Sequence, residues 1–491
     1  MNRMIEYFPY NTPRNVQAQA AEALDKNWSK YDVFVLLMPT GSGKTAMAKT
    51  IAEYTKSNNL KTVVGVPNNI LREQYIREFK EFRTVRAIEE YKVPDMGVGF
   101  QHIGQVLKAK RAKGKTNATN ARRRAAYAYI SKYGNQYQED LLAVKTMDTL
   151  TVANFYSIMA HKLYNCADVM VFDEGHNVLP TLQDLHIKKL PQAEYGFPHN
   201  INTQEDLIEY TDQNRTVDDA KIQKLVEVME DHSNNWSMNV EYGDHLSKEI
   251  HLKPISVKGE APLIWGGKKR KKQKLIFMSA TISEEEIKRL PIDKEVCFID
   301  LSSPIPVERR PIIPANQASM SRDMLEESLP KLIEYMYKLA DHHKDEKGFI
   351  HAPYGLADIL KEQINDERFV FHTKTSKNDE LDKFMNSDKP LILVGSGMYE
   401  GIDLKYDKSR WQLITKIPYP SLADSRNRLI LKNDPDYYSW LAARDLLQAC
   451  GRVSRSEDDY GVTYVFDNRF DSWYKSVEGL LGSWFKEAVV R

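Results

Sequence analysis

Short apolar runs separated by longer stretches of mixed polarity recur along both ends of the chain, the pattern of buried parallel strands joined by amphipathic helices. One block contains Val33-Phe34-Val35-Leu36-Leu37-Met38, Thr62-Val63-Val64-Gly65-Val66, Val169-Met170-Val171-Phe172 and Leu275-Ile276-Phe277-Met278. A second contains Gly348-Phe349-Ile350-His351, Phe369-Val370-Phe371, Leu391-Ile392-Leu393-Val394, Gln412-Leu413-Ile414 and Val462-Thr463-Tyr464-Val465-Phe466. The first block is interrupted by about 80–149 and about 180–272, which lack such runs and read as insertions. The expected fold class is α/β, with two parallel-sheet domains. The first comprises 1–79, 150–179 and 273–300, and the second 301–491. Ligands of such sheets sit beyond the strand C-terminal ends.

Composition narrows the class without naming it. The 491 residues suggest about three domains and several sizeable cores. Apolar residues make up 42% and charged residues 28%, which excludes disordered and collagenous chains. The three cysteines, Cys166, Cys297 and Cys450, form no CxxC pair, which argues for a reducing, cytoplasmic setting and against a disulfide framework. No run approaches the roughly 20 apolar residues of a membrane helix, so no membrane partner is expected. Lys plus Arg, 69, nearly balance Asp plus Glu, 68, but the charge is unevenly spread. Residues 80–149 hold fourteen basic and seven acidic side chains, and 201–250 hold four and twelve. The run Lys268-Lys269-Arg270-Lys271-Lys272 suits a phosphate contact or a solvated loop.

Chemistry gathers at three places. After the first strand comes Pro39-Thr40-Gly41-Ser42-Gly43-Lys44-Thr45 and then a helical stretch. Glycines let backbone N–H groups wrap a polyphosphate, Lys44 can neutralise β/γ oxygens and Thr45 can ligate Mg2+. Met38 stands at the first glycine position of the strict P-loop pattern. The strand 169–172 runs into Asp173-Glu174-Gly175-His176, where Asp173 can hold Mg2+ and Glu174 can orient water; alone, such a pair would serve equally as a helix cap. His176 has no second ligand at metal spacing. Near the C-terminus, Gln448-Ala449-Cys450-Gly451-Arg452-Val453-Ser454-Arg455 sets two guanidinium groups three residues apart, suited to phosphate across an interface.

Taken in order, these motifs resemble those of superfamily-two helicases of the XPD/DinG type, from Phe8 to Arg455. Phe8-Pro9-Tyr10 with Arg14 and Gln17 resembles the adenine-reading motif. Pro67-Asn68-Asn69 with Gln74 resembles motif Ia, and Val152-Ala153-Asn154-Phe155-Tyr156 the segment before motif II. DEGH stands where the family has DEAH, and Ser279-Ala280-Thr281 matches motif III. Phe349 to Tyr354 falls at motif IV, Glu400-Gly401-Ile402-Asp403 at motif V, and Gln448, Gly451, Arg452 and Arg455 match motif VI.

The resemblance implies two RecA-like domains with ATP and Mg2+ between them and single-stranded or forked DNA across both. It gives Glu400, Gly401 and Asp403 to the nucleotide, with Thr40 to Thr45. Asn68, Asn154, His351 and Pro353 go to nucleic acid, and His176, Ser279 and Thr281 to coupling. It further implies a monomeric motor moving 5′ to 3′. The same motor would serve RNA or RNA–DNA hybrids, because no 2′-hydroxyl reader is legible. An ATP-dependent nucleic-acid switch without processive unwinding would need the same elements.

The chain departs from the family pattern in one respect. Many members hold an iron–sulfur cluster on four cysteines between motifs Ia and II, and here only Cys166 lies there, so no cluster is expected. Residues 108–137 instead interleave Lys and Arg, including Arg122, Arg123 and Arg124, with Tyr127, Tyr129, Tyr133 and Tyr137. That composition fits single-strand binding, and also a basic helix with tyrosines turned inward. Residues 180–272, acidic through their middle, fall where the family carries its arch and read as a reduced arch. The chain ends soon after motif VI, leaving no room for an appended exonuclease.

Overall fold

The computed structural model describes residues 3–87, 90–91, 135–146, 150–230, 236–242, 247–258, 273–372, 377–395, 404 and 406–491. Two parallel sheets form the frame, as the apolar runs predict. Strands β1 (Val33–Leu37), β2 (Thr62–Val66), β3 (Phe82–Arg83), β4 (Leu150–Asn154) and β5 (Val169–Asp173) join β9 (Lys274–Ser279) and β10 (Val296–Asp300) in one sheet. Its order is β10-β1-β9-β5-β2-β4-β3. The second sheet contains β11 (Ile312–Ala318), β12 (Gly348–His351), β13 (Phe369–Phe371), β14 (Ile392–Gly395), β15 (Trp411–Ile414) and β16 (Val462–Asp467). These are ordered β11-β16-β15-β12-β14-β13.

The register positions the chemistry. β9 lies between β1 and β5, pairing Leu37 with Ser279 and Asp173 with Met278. Three polar motifs thereby emerge side by side at one sheet edge, where strand carbonyl ends turn into loops. Central strands read as unbroken apolar runs because helices cover both faces: every residue of β2 and β5 is buried. Helix α1 (Asn15–Asn27), helix α2 (Lys44–Ser57) and helix α3 (Asn69–Glu78) serve the first sheet. A long helix, Pro435–Cys450, connects β15 to β16. Pro435 at its first turn and the Asp434 side chain accepting from Tyr437 N–H set where it begins.

The stretch after motif II, though without apolar runs, also forms strands. β6 (Lys188–Pro191), β7 (Trp236–Tyr242) and β8 (Lys248–Pro254) form an antiparallel sheet ordered β6-β8-β7. It closes over Leu190, Phe197, Leu207, Leu225, Trp236, Ile250 and Leu252. Such strands bury one face, so their apolar residues alternate with polar ones instead of forming runs. The sheet also reaches the second parallel unit, where the Asn239 side chain meets Ser425 and Arg426 Nη1 donates to Gln183 Oε1 at 3.4 Å.

Candidate active site

Gly41 and Gly43 lie at φ +79° and +76°, left-handed backbone that a side chain would strain, and they turn the chain from β1 into the N-terminus of α2. Two residues of the N-terminal segment brace this loop. Arg14 Nη1 donates to the Gly41 carbonyl, and Gln17 Nε2 to the Gly43 carbonyl at 3.3 Å. Beside them, Phe8, Tyr10, Thr12, Gln74 and Glu78 help line a recess of about 450 Å³.

A cleft of about 410 Å³ opens at the shared sheet edge. It is lined from the first unit by Thr40, Gly41, Gly43, Lys44, Thr45, Asp173, Glu174, His176 and Thr281, and from the second by Gln448, Gly451, Arg452 and Arg455. The second unit lies close against the loop. A Cβ on Gly41 would stand 2.5 Å from the Arg455 carbonyl oxygen, and one on Gly451 would stand 2.4 Å from Thr40 Oγ1. Ser42 is fully buried beneath the turn.

Lys44 Nζ lies 3.3 Å from Glu174 Oε1. Asp173 is 2% exposed; its Oδ1 accepts the Glu174 N–H at 3.0 Å and its Oδ2 accepts the Tyr75 hydroxyl at 2.7 Å. Burial raises the Asp173 carboxyl above the ordinary carboxylate range, the Glu174 charge adds to the rise and Lys44 opposes it. The Thr45 hydroxyl and Asp173 carboxylate are hard oxygen donors of the kind Mg2+ takes, so the residues fit that cation. Glu174 has a left-handed backbone, φ 50°, which swings the chain out of β5 so that His176 turns back toward β9.

His176 is the centre of a buried relay. Its Nδ1 is 2.8 Å from Ser279 Oγ, and its Nε2 is 2.6 Å from the Gln448 side chain of the other unit and 2.9 Å from Asn177 Nδ2. Ser279 Oγ accepts the Thr281 N–H at 3.0 Å, and Gln448 Nε2 reaches Thr281 Oγ1 at 3.5 Å. His176, Ser279 and Thr281, the residues expected to couple, thus meet in one network with Gln448.

The expected nucleic-acid residues are dispersed. Asn68 and Asn154 cap helices, their Oδ1 atoms accepting Leu71 N–H at 2.9 Å and Ser157 N–H at 2.7 Å. Asn154 Nδ2 also donates to Asn69, which joins the two segments. Pro353 is exposed. His351 is not at the surface: it is 3% exposed, with Nε2 3.0 Å from Gln412 Oε1, so its ring faces the interior of the second sheet instead of a strand. Burial pulls its imidazole down to about 3, a shift that the Gln412 contact opposes and the Arg452 charge aids. Arg122, Arg123, Arg124, Glu400, Gly401 and Asp403, like the run 268–272, lie outside the described residues.

Sequence reasoning missed Tyr75, Glu286 and Arg444. Tyr75, between Gln74 and Ile76, carries no motif signal of its own. Glu286 is legible only as the third residue of a capping box with Ser283, yet its carboxylate, 1% exposed, also faces Arg444 Nη1 at 3.3 Å. Arg444 stands one helical turn before Gln448, a spacing that puts both on one face.

Two family models match in series. One described as "Type III restriction enzyme, res subunit" covers residues 11–195, and "Helicase C-terminal domain" covers residues 331–488. The "ATP-dependent DNA helicase CHL1" of Vanderwaltozyma polyspora is 25% identical over 154 residues, which are 26% of this chain and 18% of that protein. The "3'-5' exonuclease DinG" of Staphylococcus aureus is 24% identical over 221 residues, 41% of this chain and 24% of the relative. The matches therefore span no more than a quarter of either relative. Among solved structures, "XPD_Helicase" shares the fold at TM-score 0.60 and 15% identity, over 98% of this chain and 100% of that one. "Structure of S. tokodaii Xpd4" does so at 0.56 and 13%, over 97% and 100%. Together with the ordered motifs, these matches make the chain similar, over its two ends, to superfamily-two helicases of the XPD/DinG type.

Proposed function

We propose that this chain is an ATP-driven motor that moves along single-stranded DNA, 5′ to 3′, and opens duplex at a fork. The observation that supports it most is the meeting of Gln448, Arg452 and Arg455 of one parallel unit with Lys44, Thr45, Asp173 and Glu174 of the other in one cleft. Residues so divided feel the same nucleotide only when the units are closed, so hydrolysis and release are tied to relative motion of the units.

In this reading Lys44 neutralises the terminal phosphates and Glu174 orients and accepts a proton from the attacking water. Thr45 and Asp173 hold Mg2+, which when bound draws charge from the β/γ oxygens. Arg452 and Arg455 offset the charge that develops during transfer. His176, Ser279, Thr281 and Gln448 pass the change to the strand-facing segments at Asn68, Asn154 and Pro353. Arg14 and Gln17 brace the loop beside the adenine recess, and Arg122 to Arg124 attract the backbone near the point of separation. The motor acts as a monomer and without an iron–sulfur cluster.

The test is steady-state ATP hydrolysis alone, with single-stranded DNA and with single-stranded RNA, for the native chain, Lys44→Ala and Glu174→Gln. DNA-specific stimulation lost in both variants supports the proposal, and strand displacement from substrates with one free 5′ or 3′ tail then reads polarity. Equal stimulation by RNA would replace DNA by a broader substrate class. ATP binding without stimulated turnover would replace the motor by a switch.

A further inference from the structure

Tyr75 stands about two turns into α3 with its side chain fully buried. Its ring belongs to an aromatic cluster, edge-on to Phe82 at 5.6 Å and tilted against Phe79 at 6.4 Å. Packing alone would be met by phenylalanine, so the oxygen needs its own explanation. Buried phenols keep their oxygen where it finds a partner. Here it finds one: the hydroxyl donates to Asp173 Oδ2 at 2.7 Å. Asp173 is, with Thr45, one of the two side chains whose oxygens suit Mg2+. The remaining Asp173 oxygen takes the Glu174 N–H, so both oxygens of the carboxylate are held.

The geometry points to Tyr75 as a positioning residue of the nucleotide site, whose phenol holds the Asp173 carboxylate in the arrangement that receives Mg2+ together with Thr45. The inference deepens the proposed function and rests on its assignment of those two residues to the cation. Mg2+ demands near-octahedral oxygen geometry and tolerates misplaced ligands poorly, so a partner that fixes ligand rotamers before binding strengthens the site. The link also gives α3 a role in the motor. The same helix carries the Asn68 cap and Asn69, which meets Asn154, so a shift of Asp173 on hydrolysis acts on the strand-facing end of α3.

The test titrates Mn2+, as a paramagnetic stand-in for Mg2+, into the full chain with ADP and reads free Mn2+ by electron paramagnetic resonance. ADP affinity in EDTA and melting temperature are measured beside it. Tyr75→Phe keeps the ring and removes the oxygen; it should weaken Mn2+ about ten- to a hundredfold while metal-free ADP affinity stays unchanged. Tyr75→His, which restores a ring donor, should lie between Tyr75→Phe and native. Native Mn2+ affinity in Tyr75→Phe with only a lowered melting temperature overturns the proposal and leaves Tyr75 a packing residue. Should Tyr75→Phe not fold, Tyr75→Met, which also lacks the donor, takes its place: native affinity there overturns the proposal and weakened affinity supports it. Asp173→Asn is the control: if it leaves Mn2+ binding unchanged, the assignment of Asp173 fails and the Tyr75 proposal falls with it.

Discussion

The two parallel units touch along two flanks built from opposite materials. On one, a single apolar cluster runs from Phe277, Ile282 and Ile287 of the first unit to Tyr437, Trp440 and Leu446 of the second. Its rim is fastened by Glu286 with Arg444, and by Arg289, which pairs with Asp434 and lies 3.6 Å over the Tyr437 ring. On the other flank lie the cleft, where the side chains of the two units that face each other are mostly polar or charged, and the His176–Gln448 relay. Exposing a buried large apolar side chain costs about 1.5–3 kcal/mol, so the first flank resists separation. Polar contacts exchange for ligand or water contacts at small net cost, so the second is free to rearrange. The Pro435–Cys450 helix belongs to both, with Arg444 on the fixed side and Gln448 one turn on at the working side. The contrast predicts that opening of the cleft leaves the apolar flank in place as the pivot.

Four experiments break or sharpen that contrast. Arg444→Met leaves Glu286 buried and uncompensated; it should cost about 3–5 kcal/mol in urea unfolding, whereas Glu286→Leu with Arg444→Met should recover most of the loss. A small effect of the single change would mean the rim does not fasten the units.

His351, buried inside the second sheet, supplies a test by pH. Its folded-state pKa of about 3 lies below the ordinary 6.5, so the native state keeps it neutral while the unfolded chain binds the proton. Its contribution is thus intact above about pH 6.5 and declines as pH falls toward 3, at up to about 1.4 kcal/mol per pH unit. Between pH 7 and pH 5 native stability should fall by up to about 2 kcal/mol more than that of His351→Gln, measured by denaturant titration. Parallel profiles would place the ring in contact with water.

Gln448→Ala cuts the relay while sparing the apolar flank. DNA-stimulated hydrolysis should fall about tenfold, equivalent to about 1.4 kcal/mol, with the unfolding midpoint nearly unchanged. Equal losses of activity and stability would make the relay part of the fastening. Smallest of all, Gly451→Ala presses a methyl against Thr40 Oγ1, the tip of a short side chain that can turn away. It should raise the KM for ATP a fewfold and cost about 1 kcal/mol or less in stability.

What could be read before folding differs sharply between these flanks. The loop glycines, Lys44, Thr45, the Asp173-Glu174 pair and Arg452 with Arg455 are legible because phosphate and metal chemistry restrict residue type at short spacing. Nine strands of the two parallel sheets, β1, β2, β5, β9 and β12 to β16, are legible because burial on two faces forces apolar runs, whereas β3, β4, β10 and β11 are not in the reading, and β7 and β8, apolar only at alternate positions, are disguised by alternation. The resemblance gives His351 to nucleic acid from its place in motif IV, and only the packing of β12 beside β15 shows it buried and facing Gln412.

The sequence by itself determined the α/β class, the two parallel frames and the inventory of phosphate-handling groups, because each depends on periodicity or on residues close along the chain. Tertiary structure alone decided which of those groups meet. His176 and Gln448 are 272 residues apart and Tyr75 and Asp173 are 98 apart. Strand order sets such contacts, through the crossover that lays β9 between β1 and β5 and through the burial that drives two separate sheets onto one shared apolar flank. A local pattern records what a residue can do, and long-range packing selects what it does it with.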